Sequence, residues 1–312
     1  MSGPALQVPE PVRLRALSEG FAGQAWLAWL PAAVAGLAAE WGVRLGPTLP
    51  GGTEAYVAEA TLPDGRSAVL KVAPPWRDPA ARELATLLHA DGRGYATVHQ
   101  HDQAQRAMLL ERLGPRLADL GWLPVRQAEA ICTTLKQAWA QPGVGAGFMT
   151  GAEKAESLAH FIQDLWTALG QPGTALAVDT ALRYAVVRRR AFDPRSAVLC
   201  HGDCHPWNTL LSPAGRPERF KFIDPVGLHA EPAYDLGILM REWTSELMQG
   251  DPVALGRRRC RQLSGLTGAE PGAIWQWGLI ERVSTGLLCL KLGFPEGEDM
   301  LAVADAWAGV PV

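Results

Sequence analysis

Between Val198 and Asp235 the chain reads VLCHGDCHPWNTLLSPAGRPERFKFIDPVGLHAEPAYD, and His201, Asp203, Asn208 and Asp224 fall there at a spacing suited to phosphoryl transfer. A transferring phosphoryl group spreads negative charge over its oxygens in a loose transition state. A protein therefore contributes chiefly by aligning nucleophile and phosphate and by neutralising that charge. One carboxylate must stay ionised to orient and deprotonate the acceptor hydroxyl, and the spacing gives this part to Asp203. Magnesium takes hard oxygen ligands and keeps several waters, so one carboxylate and one amide oxygen suffice beside the phosphates of a nucleotide. Asp224 and Asn208 provide that pair.

These groups need elements to hold them. Val198 to Cys200, Asn208 to Leu211 and Phe220 to Ile223 are short apolar runs separated by the turn signals Ser212, Pro213 and Gly215, and they predict strands with the carboxylates at strand ends and turns. Upstream, Leu49 to Ala60 (LPGGTEAYVAEA) sets Gly51, Gly52 and Thr53 at a turn before an alternating run, as in a loop whose backbone amides approach phosphates; by itself a Pro-Gly-Gly stretch is also an ordinary turn. Beyond the Pro63-Asp64-Gly65 turn, SAVLKV is a strand with Lys71 alone among apolar neighbours. Such a Lys either snorkels from a strand edge or pairs the α- and β-phosphates of ATP. Pro74-Pro75 ends the strand, and Asp78-Pro79 predicts a helix start with Asp78 as cap and Pro79 at the first helical position. Glu83, Leu84, Leu87 and Leu88 recur at helical spacing, so Glu83 stands one turn in, where it can lock Lys71 or simply favour the first turn as an acid. Ala107 to Leu113 predicts a strand running into a connection, with backbone groups near Glu111 and Leu113 suited to an adenine edge.

The ordered set PGGT, AVLKVAPP, AREL, MLLERL, HGDCHPWN, FIDP and EPAYDLGILMR, over roughly Leu45 to Trp243, resembles the aminoglycoside phosphotransferase family, and more narrowly its streptomycin 6-kinase and hydroxyurea kinase branch. The resemblance implies an α+β, protein-kinase-like fold: a small antiparallel β lobe with one helix, and a larger, mostly helical lobe carrying the catalytic hairpin. It implies ATP and Mg2+ as cofactors and a small-molecule hydroxyl as acceptor, cationic if streptomycin-like, with hydroxyurea or an amino alcohol as alternatives. It makes Asp203 the catalytic base, Asn208 and Asp224 the metal ligands, Lys71 the phosphate anchor with Glu83 its partner, and His201 and Asp235 the residues that brace the catalytic loop. The chain departs from the branch at Cys204, at Pro206-Trp207, and at Thr53 and Glu54 of the glycine loop. None of these is a ligand oxygen, so what they bear on is the acceptor, for which His205, Trp207, Glu231 and Glu242 are candidates, with Glu246 and Glu296, Glu298 and Asp299 of an expected loop, PEGED, as further carboxylates.

Other readings weigh less. HGDCH contains four competent metal ligands, yet zinc-hydrolase signatures are absent and no second Cys or His cluster completes a set. The stretch from Asp224 to AEPAYDL is too short for the activation segment and peptide platform of a protein kinase. A non-catalytic nucleotide-binding protein would not need Lys71, Asp203, Asn208 and Asp224 together.

With 312 residues, 48% of them hydrophobic, the chain can bury one or two cores, and its motifs divide into a helical extension over 1–44, a nucleotide-binding lobe over 45–113 and a catalytic and substrate-binding lobe over 114–312. A net charge of −3 gives no nucleic-acid signal, and Arg188 to Arg190 and Arg257 to Arg261 read as solvated helix faces. Trp26 to Ala39 is apolar but interrupted by Pro31, which predicts a buried helix packed on the small lobe rather than a membrane span. No basic region precedes it to suggest a secretory signal. Five cysteines without a C-x-x-C pair disfavour a disulfide framework, and the cytoplasm, with its ATP and magnesium, is the expected compartment.

Overall fold

The computed structural model of the chain describes residues 6–50, 52, 54–76, 80–140, 147–213 and 219–310. Gly51 and Thr53 of the glycine loop, and Asp78 and Pro79 at the expected helix start, lie outside the described residues. The chain divides into two compact units, Met1–Gly114 with Ser212–Ala214, and Pro115–Leu211 with Gly215–Val312.

In the first unit, α1 (Glu10–Ser18) and α2 (Phe21–Glu40) precede five strands: β1 (Arg44–Thr48), β2 (Tyr56–Thr61), β3 (Ser67–Val72), β4 (Val98–Asp102) and β5 (Ala107–Glu111), with α3 (Ala80–Ala90) between β3 and β4. They form one antiparallel sheet in the order β1-β2-β3-β5-β4. The period of two sorts its side chains. Tyr56, Ala58 and Ala60, Ala68, Leu70 and Val72, and Ala107 and Leu109 share one core with Val12, Ala16, Trp26, Leu30, Val34 and Leu37 of the two helices. The N-terminal helices are therefore built into the same core as the sheet. The opposite alternation carries Lys71, paired in register with Val57 and Met108. α2 runs unbroken through Pro31, which sits on its exposed side while residues 26, 30, 33, 34 and 37 form the buried stripe. By length and composition α2 is apolar enough to cross a membrane, and that stripe is what the sheet covers.

The second unit holds α4 (Pro124–Trp139), β6 (Met149–Thr150), α5 (Gly151–Ala168), α6 (Ala175–Ala191), β7 (Val198–Cys200), β8 (Thr209–Leu211), β9 (Phe220–Phe222), β10 (Leu228–Ala230), α7 (Ala233–Arg241), α8 (Thr244–Met248), α9 (Pro252–Thr267), α10 (Pro271–Lys291) and α11 (Glu296–Trp307). β8 and β9 make the hairpin that the apolar runs predicted, and β10 joins β7 and β6 in a second small sheet. α5 starts on a reciprocal capping box, Thr150 with Glu153. The PEGED segment is the first turn of α11 rather than a loop, because Pro295 stands at the cap and the acids complement the helix N-terminus.

α7 and α10 touch through two glycines. A Cβ on Gly237 would lie 2.5 Å from Trp277 Cβ, and one on Gly278 2.5 Å from Met240 Cβ. Both helices bury their contact surfaces fully, so neither can give locally. Gly237→Ala should therefore lower stability by about 2 kcal/mol or more, as expected for overpacking, and the measurement is a reduced urea midpoint at unchanged slope. An unchanged midpoint would mean that the helices part without cost.

Candidate active site

The loop after β7 is held from α7. The fully buried Asp235 carboxylate accepts the N–H groups of His201 (3.0 Å) and Gly202 (2.8 Å) and the indole N–H of Trp139 (2.9 Å). Burial raises its pKa against those donors. Gly202 has φ 87, and a Cβ there would stand 2.8 Å from Val226 Cβ, so the loop can follow this path only with glycine. His201 is buried. Its Nδ1 accepts the Asp203 N–H at 3.0 Å, which leaves the proton on Nε2, 3.0 Å from the Ile223 carbonyl. Burial lowers the His201 pKa, in keeping with a neutral ring that donates once and accepts once.

Asp203 is fixed on both oxygens. Arg241 Nη2 donates to Oδ1 at 2.5 Å, and His205 Nε2 lies 3.2 Å from Oδ2. Burial alone would raise this carboxyl, but the His205 hydrogen bond and the Arg241 charge outweigh it and hold the group well below the usual carboxylate range. Asp203 is thus ionised at neutral pH. His205 is shifted up in return: burial opposes its charge, and the Asp203 carboxylate more than restores it. Among the described residues His205 Nδ1 meets no partner.

Asn208 closes the loop. Its Nδ2 donates to the Asp203 carbonyl at 3.0 Å, which leaves Oδ1 as the amide atom of the right chemistry for a hard cation. Its own carbonyl accepts the Ile223 N–H at 3.0 Å, tying the loop to the strand end that carries Asp224. Asp224 has φ 56, a left-handed conformation that Asp adopts more readily than most residues. His201, Asp203, His205, Asn208 and Asp235 thus belong to one bonded assembly. Cys204 is buried, with its Sγ 3.2 Å from the Asp235 carbonyl.

In the first unit, Lys71 Nζ lies 2.5 Å from Glu83 Oε1, with side chains 5% and 0% exposed. The strand and the first turn of α3 make this pair as their spacing predicted. Glu111 uses its carboxylate to cap the start of β4, accepting from Thr97 N–H and Oγ1, and its own N–H donates to the Thr97 carbonyl. One of its two backbone groups is thereby committed. Leu113 follows beyond the strand and is buried. A Cβ on Gly52 would lie 3.6 Å from the Ala55 carbonyl oxygen, an ordinary van der Waals contact.

The acceptor candidates separate. Trp207 is 52% exposed beside the loop, with the Arg116 guanidinium 4.7 Å from its ring centroid. Glu231 is bound by Arg188 (3.2 Å) and by Trp277 Nε1 (2.9 Å), Glu242 by Arg241 (3.3 Å), and Glu246 by Arg259 (2.5 Å).

A family model described as aminoglycoside/hydroxyurea antibiotic resistance kinase matches residues 41–286. The chain belongs to this family. It is 28% identical over 278 residues to a streptomycin 6-kinase of Streptomyces glaucescens, covering 88% of each chain. It is 30% identical over 272 residues to a hydroxyurea phosphotransferase of Kitasatospora aureofaciens, covering 83% of this chain and 77% of the relative. Among solved structures it is similar to an aminoglycoside phosphotransferase of Streptomyces rimosus in complex with ADP and streptomycin, with TM-score 0.53 and 17% identity, covering 82% of this chain and 98% of the other. The fold is protein-kinase-like, and the chain is a phosphotransferase that uses a nucleotide and acts on a small molecule.

Sequence reasoning passed over Arg241 and Glu281. Glu281 is 4% exposed on the side chain and binds Arg241 Nη1 at 3.1 Å and the Tyr234 hydroxyl at 2.7 Å. A signal was present: positions 234, 237 and 241 share one face of α7, the face turned to α10.

Proposed function

We propose that this enzyme transfers the γ-phosphoryl group of ATP to a hydroxyl of a cationic aminoglycoside such as streptomycin, and so confers resistance to it. The observation that carries the reading is Asp203, held ionised by Arg241 and His205 in a loop closed by the Asn208 amide, whose Nδ2 is bonded to the Asp203 carbonyl. Asp203 would orient the acceptor hydroxyl and take its proton. Asn208 and Asp224 fit magnesium by the chemistry of their oxygens, and Lys71, set by Glu83, would anchor the α- and β-phosphates, with Gly51, Gly52 and Thr53 in the phosphate loop and Glu111 and Leu113 at the adenine edge. Bound magnesium supplies neutralisation of phosphate charge. His205, whose Nδ1 meets no partner among the described residues, and Trp207, exposed beside the loop, would meet the acceptor. ATP as donor fits a cytoplasmic enzyme.

A second acceptor class is favoured by one observation. Glu231 and Glu246 each pair with an arginine and Glu242 shares Arg241 with Asp203 and Glu281, so the three carboxylates expected to attract a polycation are already engaged by cations of the protein. That arrangement suits an uncharged hydroxyl compound, hydroxyurea among them. The test is incubation of the purified protein with ATP and magnesium against aminoglycosides, hydroxyurea and amino alcohols, read as the mass gain of one phosphoryl group. For streptomycin, KM should rise with added salt because exposed charge pairs are screened over about 8 Å at physiological ionic strength. Phosphorylation of an uncharged compound with none of streptomycin would retain the kinase and remove the aminoglycoside.

A further inference from the structure

We infer that Arg241 is a positioning residue for Asp203: the guanidinium holds the carboxylate in the orientation from which it meets the acceptor hydroxyl, and Glu281 and Tyr234 hold the guanidinium in turn. The inference rests on the phosphotransfer reading of Asp203. Its ground is the use of all three guanidinium nitrogens. Nη2 donates to Asp203 at 2.5 Å, Nη1 to Glu281 at 3.1 Å and Nε to Glu242 at 3.3 Å, in the fixed plane that only arginine offers. A lysine at this position would be a single point charge, free to rotate off any one of them.

The support behind Arg241 is rigid. Glu281 receives the Tyr234 hydroxyl on its other oxygen, so both of its oxygens are bonded inside the α7/α10 contact. That contact is the one closed by Gly237 and Gly278, where no side chain separates the helices. On the far side the backbone turns sharply. Trp243 has φ 51, a strained conformation for so bulky a residue, and it is retained by three contacts: its indole N–H to Gln127 (3.3 Å), Arg259 over its ring, and Arg259 Nη1 to the Glu242 carbonyl (2.6 Å). This corner ends α7 at Arg241 and sends Glu242 back to the guanidinium. Asp235, on the same helix, holds the loop backbone, and Arg241, six residues on, holds the loop's reacting side chain. One helix therefore sets both the position of the loop and the direction of its carboxylate.

A purely structural role would make Arg241 no more than a counter-ion for Glu281, and a double-mutant cycle separates the two. Full-length protein carrying Asp203→Asn, Arg241→Ala and both is measured in urea without nucleotide or acceptor, and by ADP release with the panel compound turned over fastest. If the pair acts as one unit, the unfolding constants are non-additive by about fivefold or more. Arg241→Ala then lowers kcat by about a hundredfold, the scale of a small misplacement of a reacting group. KM for ATP stays within about twofold, and in the Asp203→Asn background the same change costs less than about threefold, because residues acting as a unit are not additive. Arg241→Lys and Glu281→Gln keep the test open if Arg241→Ala does not fold; each should give a smaller loss of kcat with the same silence in the Asp203→Asn background. Losses that multiply in that background, a raised KM for ATP, or an unaltered kcat overturn the positioning role. Wild-type protein that phosphorylates no compound overturns the phosphotransfer reading, and the role built on it, even if the urea cycle still couples the two residues.

Discussion

Asp203→Asn should lower the rate of phosphoryl transfer by about a hundredfold to ten-thousandfold, the range expected when a positioned general base is lost. The substitution preserves shape and leaves an oxygen for the Arg241 guanidinium, so the loss is chiefly one of charge and proton affinity. Nucleotide affinity, measured directly by calorimetry, should stay within about twofold, because the residue acts on the acceptor. The wild-type environment sharpens the expectation. His205 and Arg241 keep the carboxyl well below its usual range despite its partial burial, so at neutral pH almost every molecule carries the reactive form. The sign of the linkage follows. A depressed folded pKa contributes stability above the unfolded carboxylate value and loses it only as pH falls through the folded one, so acidification to about pH 5 should leave this contribution intact. Near-normal turnover in Asp203→Asn would take Asp203 out of its assigned part.

What the sequence made legible was local. Lys71 and Glu83 were readable because a strand period and a first helical turn each fix a direction within a few residues, and the structure joins them across twelve positions. Asp203, Asn208 and the hairpin before Asp224 were readable for the same reason, since each is set by the turn beside it. The buried helix read at Trp26 to Ala39 is present within α2, whose buried stripe lies on the side away from Pro31 and is covered by the sheet. PEGED was misjudged where two signals competed. Acids after a proline read as a loop, yet they also favour a helix N-terminus. Arg241 was hidden more deeply. At the end of a helix an arginine needs no explanation beyond the dipole, and its partner Glu281 lies forty residues away in the middle of an apolar helix. Only the packing of α7 on α10 brings the two together.

The metal assignment makes the sharpest separation between unit chemistries. Asp224→Asn should reduce magnesium-dependent ATP turnover on the order of a thousandfold, the upper scale for loss of one stabilising group at a charged transition state. Asparagine tolerates the positive φ of this position nearly as well as aspartate, so the backbone is spared and the change is one of charge. Without it, Asn208 and residue 224 are both neutral amides, and magnesium, which keeps its waters unless a carboxylate competes for it, has little reason to stay. Raising the magnesium concentration should recover part of the turnover, and the thermal midpoint without nucleotide should barely move. Lys71→Ala should behave in the opposite sense. Glu83 is 0% exposed, and removing Lys71 breaks a buried ion pair in the first unit, so stability should fall, read as a reduced urea midpoint. Its turnover should not respond to magnesium. Full activity of Asp224→Asn at an unchanged magnesium requirement would make the hairpin assignment wrong. Recovery of Lys71→Ala by added magnesium would show that the lysine and the cation neutralise the same charge rather than separate parts of it.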